Sequence, residues 1–316
     1  MTIRNFFVIA AGIVLAVGCT RPSETPDAGP EAGPSLGPAP TAAELGSATY
    51  SGIEDQGPVT LSAGKWEGEP FEEGGASVPM VWLSEGFYLS GDVDGDGAEE
   101  AIAHLTYSTG GTGNFAYLAV LGREEGAIVQ QGLAEVGDRV QIRKARIEGA
   151  SVALNVLQAG PDDGMCCPTQ LATRSFAMQG GQFVETGTEV TGTASLATLE
   201  GQEWVLRKLS STEAAPEGPE VTLVFDDGRV SGTSGCNSYN GGVEPGETAT
   251  DVAVGPLATT RKACPPEMMN LEQRYTAALQ GAQSWGFHLG QLVINYRQGD
   301  SFGSLFFEGR EASPGT

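Results

Sequence analysis

Ala101-Ile102-Ala103-His104-Leu105-Thr106-Tyr107, then the loop Thr109-Gly110-Gly111-Thr112-Gly113, then Phe115-Ala116-Tyr117-Leu118-Ala119-Val120-Leu121 decide the fold class. Two short apolar runs rich in β-branched and aromatic residues, separated by a glycine-rich turn, predict two antiparallel strands and the hairpin loop between them. The loop lacks the Gly-Lys-Ser/Thr ending and the following helix that a phosphate cradle needs. Working outward, similar runs occur at Val59-Thr60-Leu61, Val140 to Ala145, Val152 to Leu157 and Arg174 to Met178. No long helical period interrupts this region. Beyond it, Trp204 to Leu209, Val221 to Phe225, Leu289 to Tyr296 and Ser304 to Phe307 again read as strands. One helix is predicted over Glu267 to Gly281, after Cys264-Pro265-Pro266: Met268, Leu271, Tyr275, Ala278 and Leu279 fall on one face at three- and four-residue spacing. The chain therefore reads as mainly β, with two antiparallel β domains at residues 47–190 and 199–310. A passage of small and polar residues, 191–198, separates them, and 311–316 form a disordered tail.

The charge balance excludes a class of partners. In 316 residues, 17 Lys and Arg face 40 Asp and Glu, a formal net charge of −23. Such a surface repels nucleic acid, because a phosphate backbone is gripped by clustered cations. Forty-six glycines fit a turn-rich chain, and two histidines, His104 and His288, leave little for triads or His-based metal sites.

The N-terminus reads as an address. Arg4 precedes an apolar run from Phe6 to Val17, too short to span a membrane, and the pattern fits a secretory signal over residues 1–18. Ala16-Val17-Gly18-Cys19 resembles a bacterial lipobox, which implies lipid on Cys19 and a membrane partner reached through it. Leu15 stands one place too early for the usual pattern, so cleavage by an ordinary signal peptidase is the competing reading. Prolines at 22, 26, 30, 34 and 38 then mark residues 19–46 as a Pro/Ala/Gly tether. The expected location is the cell envelope, lipid-anchored and exported, on the periplasmic face of the outer membrane in a Gram-negative source.

The C-terminal half carries an ordered set of motifs: Gly201-Gln202-Glu203-Trp204-Val205-Leu206, Phe225 to Gly232, Gly235-Cys236-Asn237-Ser238-Tyr239-Asn240-Gly241, Gly255 to Cys264, and the segment Glu272 to Leu279. Residues from about Leu199 to Gly309 thereby resemble the META (HslJ-like) domain. The resemblance implies a small barrel-like antiparallel sheet with one helix, often in envelope proteins, and implies no established catalytic activity. Read physically, Gly235-Cys236-Asn237 is a tight turn in which Asn237 suits bonding to neighbouring backbone. Gly232-Thr233-Ser234-Gly235-Cys236 is not a nucleophile elbow, because its second glycine is displaced. No catalytic residue is assigned.

Asp92-Val93-Asp94-Gly95-Asp96-Gly97-Ala98-Glu99-Glu100 is the strongest chemical motif. Asp92, Asp94 and Asp96 alternate as hard oxygen donors, Ala98 can offer its carbonyl and Glu100 takes the ninth position, a set suited to Ca2+. Ala103 at the twelfth position excludes an EF-hand. The loop resembles the calcium loops of FG-GAP and dockerin-type repeats, and most of residues 48–185 resembles an uncharacterised domain of bacterial lipoproteins. With Cys19 given to lipid, four cysteines admit three pairings. Pairing within each domain joins Cys236 to Cys264 and Cys166 to Cys167. The second bond is awkward, since adjacent Cα atoms lie about 3.8 Å apart against a usual minimum of about 4.4 Å. A strained bond, free thiols, or a redox or metal role for Cys166-Cys167 stay open. The expected function is a non-enzymatic envelope module that binds an unknown protein or ligand in homeostasis or stress tolerance. The alternatives are a metal-dependent hydrolase and a redox-responsive protein.

Overall fold

The Ala101–Tyr107 and Phe115–Leu121 runs pair as read, Ala101 opposite Leu121 and Tyr107 opposite Phe115. They form the centre of a six-stranded antiparallel sheet in a computed structural model that describes residues 37–164 and 166–311. The expected signal segment, Cys19 and most of the tether lie outside the described residues. Both strands are buried on both faces, which explains why they read as nearly unbroken apolar runs. Ala101, Ala103, Leu105, Tyr107, Tyr117, Ala119 and Leu121 face one core, shared with Leu45, Tyr50, Ile53, Val59 and Leu61. Ile102, Ala116, Leu118 and Val120 face a second core, shared with Val152, Leu154, Val156, Phe176 and Phe183 of a four-stranded meander. Burial of side chains this large, at roughly 25 cal/mol per Å² of apolar surface, is what holds the two sheets face to face.

The first core corrects the tether's C-terminal limit. Residues 37–46 are packed: Thr41 and Glu44 form a reciprocal capping box on the short helix Ala42–Leu45, and Leu45 is 1% exposed. Arg123 donates to both Glu44 carboxylate oxygens at 2.7 Å and to Pro38 O at 3.0 Å. These bonds hold the Glu44 carboxyl down at about 2. Proline spacing suggested a tether across this stretch, but Leu45 gives the chain something to bury. Replacing Arg123 with Gln is expected to raise amide hydrogen exchange across Thr41–Gly46 while leaving the Ala101–Leu121 hairpin protected. Unchanged exchange at Thr41–Gly46 would show that Leu45 alone seats the strap.

The C-terminal sheet is a nearly closed antiparallel barrel. Its two ends are brought together by a bridge between Asp251 and Ser284 and by the Trp285 N–H, which donates to Thr250 O at 2.8 Å. The helix runs Pro266–Gln280 and buries Leu271, Tyr275, Ala278 and Leu279, the expected face apart from the half-buried Met268. Inside the barrel, Tyr275 and Tyr239 meet hydroxyl to hydroxyl at 2.7 Å. The sulfurs of Cys236 and Cys264 are bonded, as are those of Cys166 and Cys167.

Two sequence expectations change here. The passage 191–198 is not a free connection: the strand Gln182–Thr193 covers its start and a 3-10 helix, Leu196–Leu199, its end. That strand's side chains beyond Val184 are exposed, so no burial pattern marks it in the sequence. Leu289 to Tyr296 is not one strand either. Leu289 and Gly290 form a two-residue turn with φ of 49° and 90° between the strands Ala282–His288 and Gln291–Gln298. A hairpin turn of this kind needs positive φ at both positions, an unusual conformation for leucine. Leu289 adopts it while packing against the second core, that of the two middle sheets.

Candidate metal centre

The strands Leu89–Gly91 and Glu100–Ser108 pair with Gly91 opposite Glu100, so the intervening acidic segment is clamped as a hairpin loop. Gly95 and Gly97 turn it with φ of 85° and 89°, values that side-chain-bearing residues rarely adopt. The aspartates wind the loop on its own backbone. Asp92 accepts from the Gly95 N–H (2.7 Å) and the Gly97 N–H (3.1 Å), Asp94 from the Asp96 N–H (3.0 Å), and Asp96 from the Ala98 N–H (2.7 Å). Val93 points inward and anchors the loop in the second core.

Glu100 is the group that makes this more than a turn. Its side chain is fully buried; Oε2 accepts the Val93 N–H at 3.0 Å, and Oε1 has no partner. Burial raises its carboxyl above the ordinary range, and the charges of Asp94, Asp96 and Asp92 push the same way. Asp92, Asp94 and Glu100 each offer a carboxylate oxygen, and these oxygens all lie within 4.8 Å of one another. A buried, unsatisfied carboxylate oxygen facing two more acids is costly in an unliganded protein. The donors are all oxygen, the preference of Ca2+ or Mg2+ rather than of zinc or copper. Asp96 lies outside the trio, with its Oδ1 on the Ala98 N–H, and Ala98 follows half-buried with its carbonyl on the loop.

The other candidate residues serve structure or lie elsewhere. Asp163, beside Cys166 and Cys167, is turned onto the Gly160 and Thr169 N–H groups at 2.6 and 2.7 Å. His104 Nδ1 lies 2.6 Å from Ser84 Oγ, a Ser–His contact the sequence did not flag. Burial depresses this imidazole from 6.5 to about 4, so it is a weak base near neutral pH. The unfolded chain therefore binds the extra proton more readily between these values, and folding stability is lost as pH falls from about 6.5 through 4. Urea midpoints are expected to drop over that window in the wild type and less in His104→Gln; parallel curves would remove His104 from the acid response.

In the barrel, Asn237 (2% exposed) accepts from the Lys262 N–H at 2.8 Å and the Thr260 hydroxyl at 2.7 Å, and its amide donates to Glu272 at 2.9 Å. Ser234 Oγ donates to the same carboxylate at 2.9 Å. The sequence places Asn237 at a turn and Glu272 at the head of the helical motif, but nothing in it says that the two side chains meet.

A family model of the META domain matches residues 197–305, the barrel and its helix. A solved structure described as the NMR structure of the protein from Burkholderia xenovorans is 22% identical, over 37% of this chain and 87% of that one, with a TM-score of 0.29. No curated protein matches the chain.

Proposed function

We propose that the protein is a lipid-anchored envelope module that works by binding rather than catalysis, and that a Ca2+ ion held by Asp92, Asp94 and Glu100 stabilises its middle sheets. The observation that carries the metal reading is Glu100 Oε1, buried and unpartnered beside two aspartates. The Asp96 side chain and the Ala98 carbonyl, with water, would complete the six to eight oxygens that Ca2+ takes. Structural coordination is favoured over metal hydrolysis because each aspartate already spends an oxygen on loop N–H groups, which fixes the loop. Export supplies calcium at concentrations where even a weak site fills. The lipid on Cys19 and the tether would place the barrel and the sheets at the membrane surface.

Two measurements test the parts separately. Calorimetric titration of metal-free protein with CaCl2 is expected to give one site per chain, absent in Asp94→Ala; no heat at several millimolar calcium would overturn the metal reading. Expressed in a bacterial host, the wild type is expected to partition with membranes and Cys19→Ser with the soluble fraction. Equal partitioning would overturn the anchor.

A further inference from the structure

The middle sheets and the barrel meet along the strand Gln141–Glu148. Gln141 Oε1 accepts the Phe287 N–H at 2.7 Å, and Ile142 O accepts the Gly290 N–H at 2.9 Å. Beside this seam opens a cleft of about 980 Å³ whose walls bring Arg143 and Lys144 of the middle sheets to Lys208 and His288 of the barrel. This is an unusual place for cations in a chain of net charge −23. Among the described residues, nine Lys or Arg side chains sit in ion pairs with acids. Arg143, Lys144 and Lys208 are not among them.

Arg143 is the most exacting of the three. Its Nε is buried without a hydrogen-bond partner, and its guanidinium lies over the Phe287 ring at 5.1 Å. Burial lowers the pKa of this guanidinium, and burial together with the Lys208 charge lowers that of His288. Carboxylates line the cleft too, but Glu308 is held by Arg207 at 2.7 Å, while Glu85 and Glu311 are exposed. Arg310 in the same wall is already neutralised by Glu203 and Glu220. A half-buried guanidinium with no acid partner and an unpaired Nε costs free energy that a bound oxyanion recovers through charge-assisted hydrogen bonds. Gln202 and Gln291 add amide donors for the polar remainder of such a ligand.

We propose that this cleft binds a small polar ligand through a phosphate or carboxylate group, gripped by Arg143, Lys144 and Lys208 across the seam between the two β modules. The proposal goes beyond the calcium reading and stands independently of it. In the test, metal-free full-length protein is titrated with inorganic phosphate and, separately, with succinate, at ionic strength held constant with NaCl. Backbone amide NMR shifts are followed at Lys144, Lys208 and Leu289. Saturable shifts confined to these positions are expected with at least one anion, and the tighter of the two identifies the group. Lys144 and Lys208 are exposed, so the double variant Lys144→Gln/Lys208→Gln should keep the wild-type melting temperature and bind about tenfold more weakly. Lys65→Gln, which removes a cation away from the cleft, should bind as the wild type does. Shifts that never saturate with either anion, or that survive unchanged in the double variant, would overturn the proposal.

Discussion

Metal-free protein is expected to melt well below the same protein in calcium. At a hundredfold excess of ion over the dissociation constant, a site present only in the folded state contributes about 2.7 kcal/mol. The ion's main partner would be Glu100, whose side chain is fully buried with one oxygen unpaired. Two variants separate the ion's effect from the loop's own turn bonding. Asp94→Ala removes one oxygen from the trio and the acceptor of the Asp96 N–H, and should abolish the calcium response with only a small change in the metal-free form. Glu100→Gln keeps a side-chain oxygen for the Val93 N–H but removes the buried negative charge. It should therefore raise the stability of the metal-free form while losing the calcium shift. Scanning calorimetry of all three proteins in metal-free buffer and in calcium checks this. A wild type that melts identically in both reduces the segment to an acidic turn.

The sequence made the β class and the helix legible because their residues must satisfy burial locally. Ala101–Tyr107 and Phe115–Leu121 sit between two cores, so every position reports it. The helix stripe shows because its opposite face is wet. The strand Gln182–Thr193 was invisible for the converse reason: it is held by backbone pairing to Gln170–Gln179, and exposed side chains carry no periodicity. Leu289 misled because an apolar residue in a positive-φ turn looks like the start of a strand; its burial against a core formed by residues more than a hundred positions earlier is a tertiary fact. Residues 37–46 misled through composition, since proline spacing says nothing about whether Leu45 finds a pocket.

The acidic loop was legible in its carboxylates, because alternating aspartates with intervening glycines prescribe both the turn and the oxygens. What the sequence could not supply was the burial of Glu100, which depends on the meander packing behind its strand. The basic cleft was wholly hidden. Arg143 and Lys208 stand 65 positions apart and meet only because the barrel's hairpin docks on the strand Gln141–Glu148. Charge counted along the chain shows an acidic protein; only the fold shows which cations stand outside its ion pairs.

Asn237→Ala is expected to destabilise the barrel by about 3 kcal/mol, more than any surface change in this chain, because it strands several buried partners at once. The Lys262 N–H and the Thr260 hydroxyl lose their acceptor, and the Glu272 carboxylate loses the amide that holds it at 2.9 Å. Those three residues sit on two segments: Thr260 and Lys262 on the stretch leading to Cys264, and Glu272 on the helix. The Cys236–Cys264 bond ties the Asn237 turn covalently to the first of these, yet it cannot replace the link to the helix, which runs through Glu272. Asn237→Asp is nearly the same size but sets a carboxylate against Glu272, so it should be no better than alanine. Urea unfolding of Asn237→Ala, Glu272→Ala and the double variant provides the measurement, with a coupling of roughly 1–3 kcal/mol expected for residues in one network. Additive losses would mean that the two act separately. Strong coupling would mean that the most distinctive motif of the barrel is spent on fastening its helix, which moves the search for a ligand away from that motif and onto the seam and the acidic loop.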